Sequence, residues 1–237
     1  MEIIWEDKDI VVINKPAGVV VNRVESAKGE TVQDWAEKNL KLTGLDEEQM
    51  KARSGVAHRL DKETSGALLI AKNPAVLEHL MDQFKRRVIK KEYVALVHGK
   101  LEPEKGTIKL PVRRSLGDRK KQEVHFEGKQ SETSWEVERY LSTRSGLVGY
   151  SLVRVKPRTG RMHQIRVHLA HLGHPIFADI KYLGKKKRGG DRKLLDHHFL
   201  HATRICFFDM AGNWQEAEVE LPEENERVLI NLTNSTN

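Results

Sequence analysis

The chain predicts an α+β fold, with a largely antiparallel sheet and helices packed around it. Two observations carry this. Runs rich in β-branched and aromatic residues recur along the sequence, and between them lie segments with helical apolar spacing and capping signals. The two kinds of segment do not alternate regularly enough for a doubly wound parallel sheet.

Taken in order, Ile10 to Ile13 is an apolar run closed by Lys15-Pro16-Ala17-Gly18, where proline and glycine mark a turn. Val19 to Val21 is expected to return beside it as a second strand. Thr31-Val32-Gln33-Asp34 opens a helix with an N-cap signal, and Val32, Trp35, Ala36 and Leu40 form its apolar stripe. Ala67 to Ala71 has strand character. Asn73-Pro74 caps the next helix, which buries Leu77, Leu80, Met81 and Phe84. Tyr93 to Val97, Trp135 to Leu141 and Tyr150 to Val155 read as strands, with Tyr93, Ala95 and Val97 on one face. A third helix is expected from Arg161 to Leu172, burying Met162, Ile165, Leu169 and Leu172. Gly173 stops it and Pro175 follows.

The 237 residues fit a single sizeable core, or one domain with a lobe. Charged residues make up 32% and hydrophobic ones 38%, which describes a globular chain and excludes a disordered one. No apolar run approaches the roughly 20 residues that span a bilayer. The start, MEIIWEDKD, lacks the basic-then-apolar pattern of a signal peptide, so a cytoplasmic setting is expected. Cys206 is the only cysteine. That rules out an intramolecular disulfide and a thiolate zinc site, and its apolar neighbours make it a core residue.

The net charge is +7 and the pI about 9.4. A basic chain favours a polyanionic partner, because phosphate contacts release counterions. The cations cluster in FKRRVIKK (Phe84 to Lys91), RSLGDRKK (Arg114 to Lys121) and KYLGKKKRGGDRK (Lys181 to Lys193). Acidic residues gather near Asp46 to Glu48 and Glu216 to Glu226. Three basic clusters in one chain point to a phosphate-binding face.

The chemistry centres on HRLDKETSGALLIAK, His58 to Lys72, which sets Asp61 beside Arg59 on a tight connection leading into an apolar run. A carboxylate there can act as nucleophile or base if a cation keeps it ionised. Two further stretches stand in order behind it: KKEYVALVHGK (Lys90 to Lys100) and GRMHQIRVHLAHLGHPIFAD (Gly160 to Asp179). INKPAGVVV (Ile13 to Val21) and FLHATRICF (Phe199 to Phe207) are lesser echoes. Together they resemble the motifs of the RluA-like family of RNA pseudouridine synthases, along nearly the whole chain.

The resemblance implies a mixed sheet split by a deep cleft, and isomerisation of uridine in ribosomal or transfer RNA, with no metal and no other cofactor. It implies that Asp61 is the catalytic aspartate, attacking C6 of the base or C1′ of the ribose, or opening a route through a glycal. Arg166, in HQIR, would pair with Asp61. Tyr93 would stack on the base and help remove the C5 proton. Ile165 would line the pocket, and Arg59 would hold the displaced strand or fill the gap left by the flipped uridine. His58, Thr64 and Arg161 are the remaining expected substrate-binding residues. Many members carry an S4-type RNA-binding domain ahead of the catalytic one. Here the first strand begins within about ten residues of Met1, which leaves a single catalytic domain over 1–237 and no room for S4. RNA selection then falls to basic loops, Lys185 to Asp191 first among them. A monomer meets every requirement of the chemistry.

Two other readings compete. His163, His168, His171 and His174 lie close together, and His168 with His171 and Asp179 would suit a metal-dependent hydrolase. The HExxH spacing is absent, however, and hydrogen bonds within the fold or to phosphates suit these histidines and His197, His198 and His201 better. A non-catalytic RNA-binding module on the same fold would use the same basic surface, but it has no physical need for Asp61, Tyr93 and Arg166 together. The third motif departs from the family in one place, with Ala178-Asp179 where Gly-Asp is usual. That questions the backbone turn after Phe177.

Overall fold

The computed structural model describes residues 1–24, 29–142, 147–184 and 189–234. The chain divides into two compact units: Met1–Lys91 with Ala202–Val219, and Glu92–His201 with Glu220–Asn237. The α+β class and the largely antiparallel pairing hold in both.

In the first unit the strands run β1 (Glu2–Glu6), β2 (Ile10–Lys15), β3 (Ser65–Ala71) and β10 (Leu200–Phe208) in spatial order, with β11 (Trp214–Glu218) on β10. β1 pairs with β2, β2 with β3 and β10 with β11, all antiparallel. All seven residues of β3 are buried, as a continuous apolar run in a central strand requires. Three helices, α1 (Val32–Asn39), α2 (Glu48–Arg53) and α3 (Pro74–Arg86), belong to this unit. Its core joins Ile10, Val12, Leu69, Leu77, Leu80, Ile205 and Phe207.

Local chemistry sets the helix starts. Thr31 and Asp34 form a reciprocal capping box on α1, and Asn73 accepts from the Val76 N–H at 3.0 Å at the start of α3. Each such cap stabilises by about 1 kcal/mol. The buried face of α3 is Val76, Leu77, Leu80 and Gln83, with Met81 and Phe84 only partly covered. Val19 to Val21 is not a strand. The neighbours of β2 are β1 and β3, while the carbonyls of Val20 and Val21 instead accept the first N–H groups of α1, from Val32 and Gln33.

The second unit holds β4 (Lys90–His98), β9 (Val148–Pro157), β8 (Thr133–Ser142) and β5 (Lys105–Ile108), in that spatial order. The pairs β4/β9, β9/β8 and β8/β5 are antiparallel. β6 (Val112–Arg114) and β7 (Gln122–Val124) make a separate two-stranded ribbon. α4 spans Gln164–His171, shorter than the expected Arg161–Leu172, and contacts β7, β8 and β9. Met162 and Leu172 are half-buried rather than buried. The helix begins late because His163 sits in the left-handed region at φ 54°. α5 (Glu223–Asn234) packs on β8. Cys206 is buried, as its apolar context predicts.

Candidate active site

Asp61 lies in the first unit, on the turn just before β3, half-buried, with Arg59 exposed and Leu60 buried. The turn is tied down on both sides. The Thr64 N–H donates to the Asp61 carbonyl at 3.1 Å, and the Gly18 N–H donates to the Lys62 carbonyl at 2.9 Å. Beneath it Lys15 is fully buried, and its Nζ donates to the carbonyls of Pro16 (2.9 Å), Val19 (2.9 Å) and Lys62 (3.2 Å). Burial pulls the Lys15 ammonium down to about 7, and the negative charge of Asp61 pushes the other way. Three carbonyl acceptors match the three N–H bonds of an ammonium; a neutral amine has two. The acceptor set therefore favours a cation beneath Asp61. In the sequence Lys15 stands out only as part of a turn, because its local context does not say that its side chain reaches the Lys62 carbonyl.

The rest of the motif is anchoring. His58 Nε2 accepts from the Leu69 N–H at 3.1 Å, and its ring lies 4.8 Å from that of Phe84. Burial, with the charge of Lys91, holds the imidazole down at about 3, so it is neutral with the proton on Nδ1. Thr64 and Ser65 are buried. Gly66, at φ 109°, backs directly onto β10: a Cβ there would stand 2.2 Å from the Ala202 carbonyl oxygen. Only glycine permits that approach, and it explains why the HRLD segment and the FLHATRICF segment belong together.

Tyr93 and Arg166 lie in the second unit. Tyr93 is buried on β4, opposite Val155 of β9. Arg166 is on α4, where every residue from Gln164 to Leu169 is buried. Its guanidinium grips Asp179 bidentately, Nε to Oδ2 at 2.7 Å and Nη2 to Oδ1 at 2.9 Å, with 4% and 0% of the side chains exposed. Burial pushes the Asp179 carboxyl up, but the Arg166 fork outweighs it, helped by His198 and the Lys181 N–H. The carboxyl stays below its ordinary range. Arg166 also lies over the Tyr182 ring, 5.3 Å from its centroid. Ile165 is buried beside it and Arg161 is exposed.

The other polar residues of this motif build the frame. Gln164 Oε1 accepts from Thr159 Oγ1 (2.7 Å) and the Arg161 N–H (3.0 Å), while Nε2 donates to the Glu132 carbonyl (2.9 Å) and Thr133 Oγ1 (3.0 Å). His168 bonds Thr133 Oγ1 and the Leu110 carbonyl. Asp179 and His168 are thus engaged in the fold, and among the described residues no three His, Cys, Asp or Glu side chains group as a metal site. His197, His198 and His201 are buried.

The Ala178 turn resolves as a strained one. Ala178 takes φ 60°, a conformation that favours glycine. Asp191 Oδ2 accepts its N–H at 2.9 Å, Arg192 Nε donates to its carbonyl at 2.8 Å, and His98 Nε2 holds Asp191 at 2.8 Å. The expected insert Lys185 to Asp191 falls partly outside the described residues, at 185–188.

Comparison with known proteins gives the class. The model of the family described as RNA pseudouridylate synthase matches residues 9–171. An uncharacterized RNA pseudouridine synthase of Bacillus subtilis, YlyB, is 35% identical over 98% of this chain and 73% of its own. The ribosomal large subunit pseudouridine synthase D of Buchnera aphidicola is 33% identical over the same shares. Among solved structures, human RNA pseudouridylate synthase domain containing 1 superposes with a TM-score of 0.72 at 26% identity, covering 93% of this chain and 83% of that one. The fold and motifs therefore define an RNA-modifying isomerase. The chain belongs to the RluA-like branch of the RNA pseudouridine synthases and converts uridine in RNA to pseudouridine.

Proposed function

We propose that Asp61 is the catalytic carboxylate, with Tyr93 stacked on the base and Arg166 as the cation of the reaction, both units serving one catalytic domain. The observation that carries this is the support under Asp61. A surface carboxylate in a simple salt bridge needs no fully buried lysine bonded to the carbonyls of its own turn. In the reaction the N1–C1′ bond of uridine breaks and a C5–C1′ bond forms. The C5 proton leaves to a base and N1 regains one, so nothing is oxidised and no cofactor is needed. Attack at C6, attack at C1′ and a glycal route all use the same carboxylate.

The substrate is structured RNA, with large-subunit ribosomal RNA the first to test and transfer RNA the second. A uridine in a stem must be flipped out, at a cost of a few kcal/mol that backbone contacts offset. The β6–β7 ribbon suits that task. It exposes Arg114, Arg119 and Lys120, and near them Leu116 and Phe126, the latter 81% exposed. Arg59 and Arg161, both exposed, would contact the strand. His58 and Thr64 hold the Asp61 turn, and Ile165 lines the pocket. We place the enzyme in the cytoplasm as a monomer; among the described residues no helix is long and apolar enough to cross a membrane.

The test is tritium release from RNA labelled at uridine C5, using RNA from cells lacking the gene, for the wild type and Asp61→Asn. Release by the wild type alone, reduced at least about a thousandfold in the variant, is expected; that is about 4 kcal/mol of barrier. Equal release by both removes Asp61 from the chemistry. Release by neither, with RNA binding intact on ribosomal and transfer RNA, favours a non-catalytic RNA module.

A further inference from the structure

The hydroxyl of Tyr182 joins three parts of the second unit. It accepts the backbone N–H of Gln122, the first residue of β7, at 2.8 Å. It also lies 2.9 Å from His163 Nδ1, on the residue whose left-handed backbone starts α4. A phenol can accept from Gln122 and still donate to an unprotonated Nδ1; a phenylalanine can do neither. The ring of the same tyrosine carries the Arg166 guanidinium. Asp179 grips that guanidinium from its edge, and its Oδ1 also accepts the Lys181 N–H at 3.0 Å and the Tyr182 N–H at 3.4 Å. One short turn, 179–182, thus holds Arg166 by edge and face, and its last residue grips the ribbon.

A residue that only filled space would not need its hydroxyl on a strand of a separate sheet. The Gln122–Tyr182 bond leads from the ribbon to the ring that lies against Arg166. A displacement of β7 moves the Tyr182 oxygen, hence the ring beneath the guanidinium and the left-handed turn at His163. Strained, non-glycine left-handed residues persist where the surroundings over-determine them, and they concentrate at functional sites.

We propose that Tyr182 is a positioning residue that couples the β6–β7 ribbon to Arg166, so that RNA gripped by the ribbon sets the guanidinium in its working orientation. This rests on the reading of the ribbon as an RNA contact and of Arg166 as part of the chemistry. The coupling makes the ribbon a determinant of turnover as well as of binding, and so a means of rewarding the correct RNA.

The experiment measures kcat and KM for tritium release by the full chain on the RNA that the wild type modifies. The variants are Tyr182→Phe, the ribbon pair Arg119→Ala with Lys120→Ala, and all three changes together. The ribbon pair is exposed, so it folds. It is expected to raise KM and also to lower kcat at saturating RNA severalfold. Tyr182→Phe keeps the ring and is expected to lower kcat about tenfold with KM within twofold. In the triple variant the ribbon changes should still raise KM but lower kcat no further. A ribbon pair that raises KM alone overturns the coupling, even if Tyr182→Phe fails to fold. So do kcat effects that simply multiply in the triple variant. A wild type that releases no tritium removes the underlying reading, and the coupling falls with it. An active wild type with either of the other results removes the coupling alone.

Discussion

The Asp61 turn and the Arg166 helix present opposite charges, and they are held in opposite ways. The turn is fixed through its backbone. Lys15 and Gly18 bind the Lys62 carbonyl, and His58 binds the Leu69 N–H. Arg166 is fixed through its own side chain, by the Asp179 fork and the Tyr182 face. A guanidinium has five N–H bonds in a planar fork, so a carboxylate can grip it bidentately through its own side chain. Loss of the carboxylate that forks Arg166 should therefore cost more than loss of the His58 grip on the backbone beside Asp61.

The sharpest way to break that contrast is Asp179→Ala. It removes the bidentate partner of a buried guanidinium, and a stability loss of about 3–5 kcal/mol in urea unfolding is expected, with Asp179→Asn intermediate. A loss below about 1 kcal/mol would mean that side-chain pairing does not hold Arg166.

On the other side, the His58 anchor depends on pH. Its imidazole titrates at about 3 in the folded protein against about 6.5 unfolded, so between those values the unfolded chain binds more protons. Stability from this group is present above pH 6.5 and is lost as pH falls toward 3, because a protonated Nε2 cannot accept the Leu69 N–H. His58→Gln keeps an acceptor at every pH, and it should flatten that acid-side loss by about 1–3 kcal/mol. Urea midpoints at pH 7, 5 and 4 for both proteins decide it; parallel curves would exclude His58 as the anchor.

The smallest effect is expected at Ala178. Glycine there removes the left-handed strain but frees the unfolded chain, and the balance should raise stability by roughly 0.5–1 kcal/mol with activity unchanged. A loss of stability would show that the buried methyl outweighs the strain.

Much of this was legible in the chain. Thr31 and Asn73 announce their helices because a cap is a contact across three residues, and the β-branched runs announce strands because side chains on a pleat alternate. The order of HRLDKETSG, KKEYVALVHGK and GRMHQIRVHLAHLGHPIFAD was enough for the family, and with it the reaction. Val19 to Val21 misled, since its hydrophobicity serves the start of α1 instead of a strand pair. The start of α4 misled as well, because apolar spacing does not reveal a left-handed His163.

The sequence by itself determined the fold class, the family and the residues proposed for the chemistry. The tertiary structure decided what holds them. Lys15 reaches a carbonyl 47 positions away, Arg166 finds Asp179 across 13, and Tyr182 meets Gln122 across 60. The physical reason is that each is a hydrogen bond or ion pair between groups whose local sequence is compatible with many partners. The choice among those partners is made only when strand order and close packing bring one within about 3 Å.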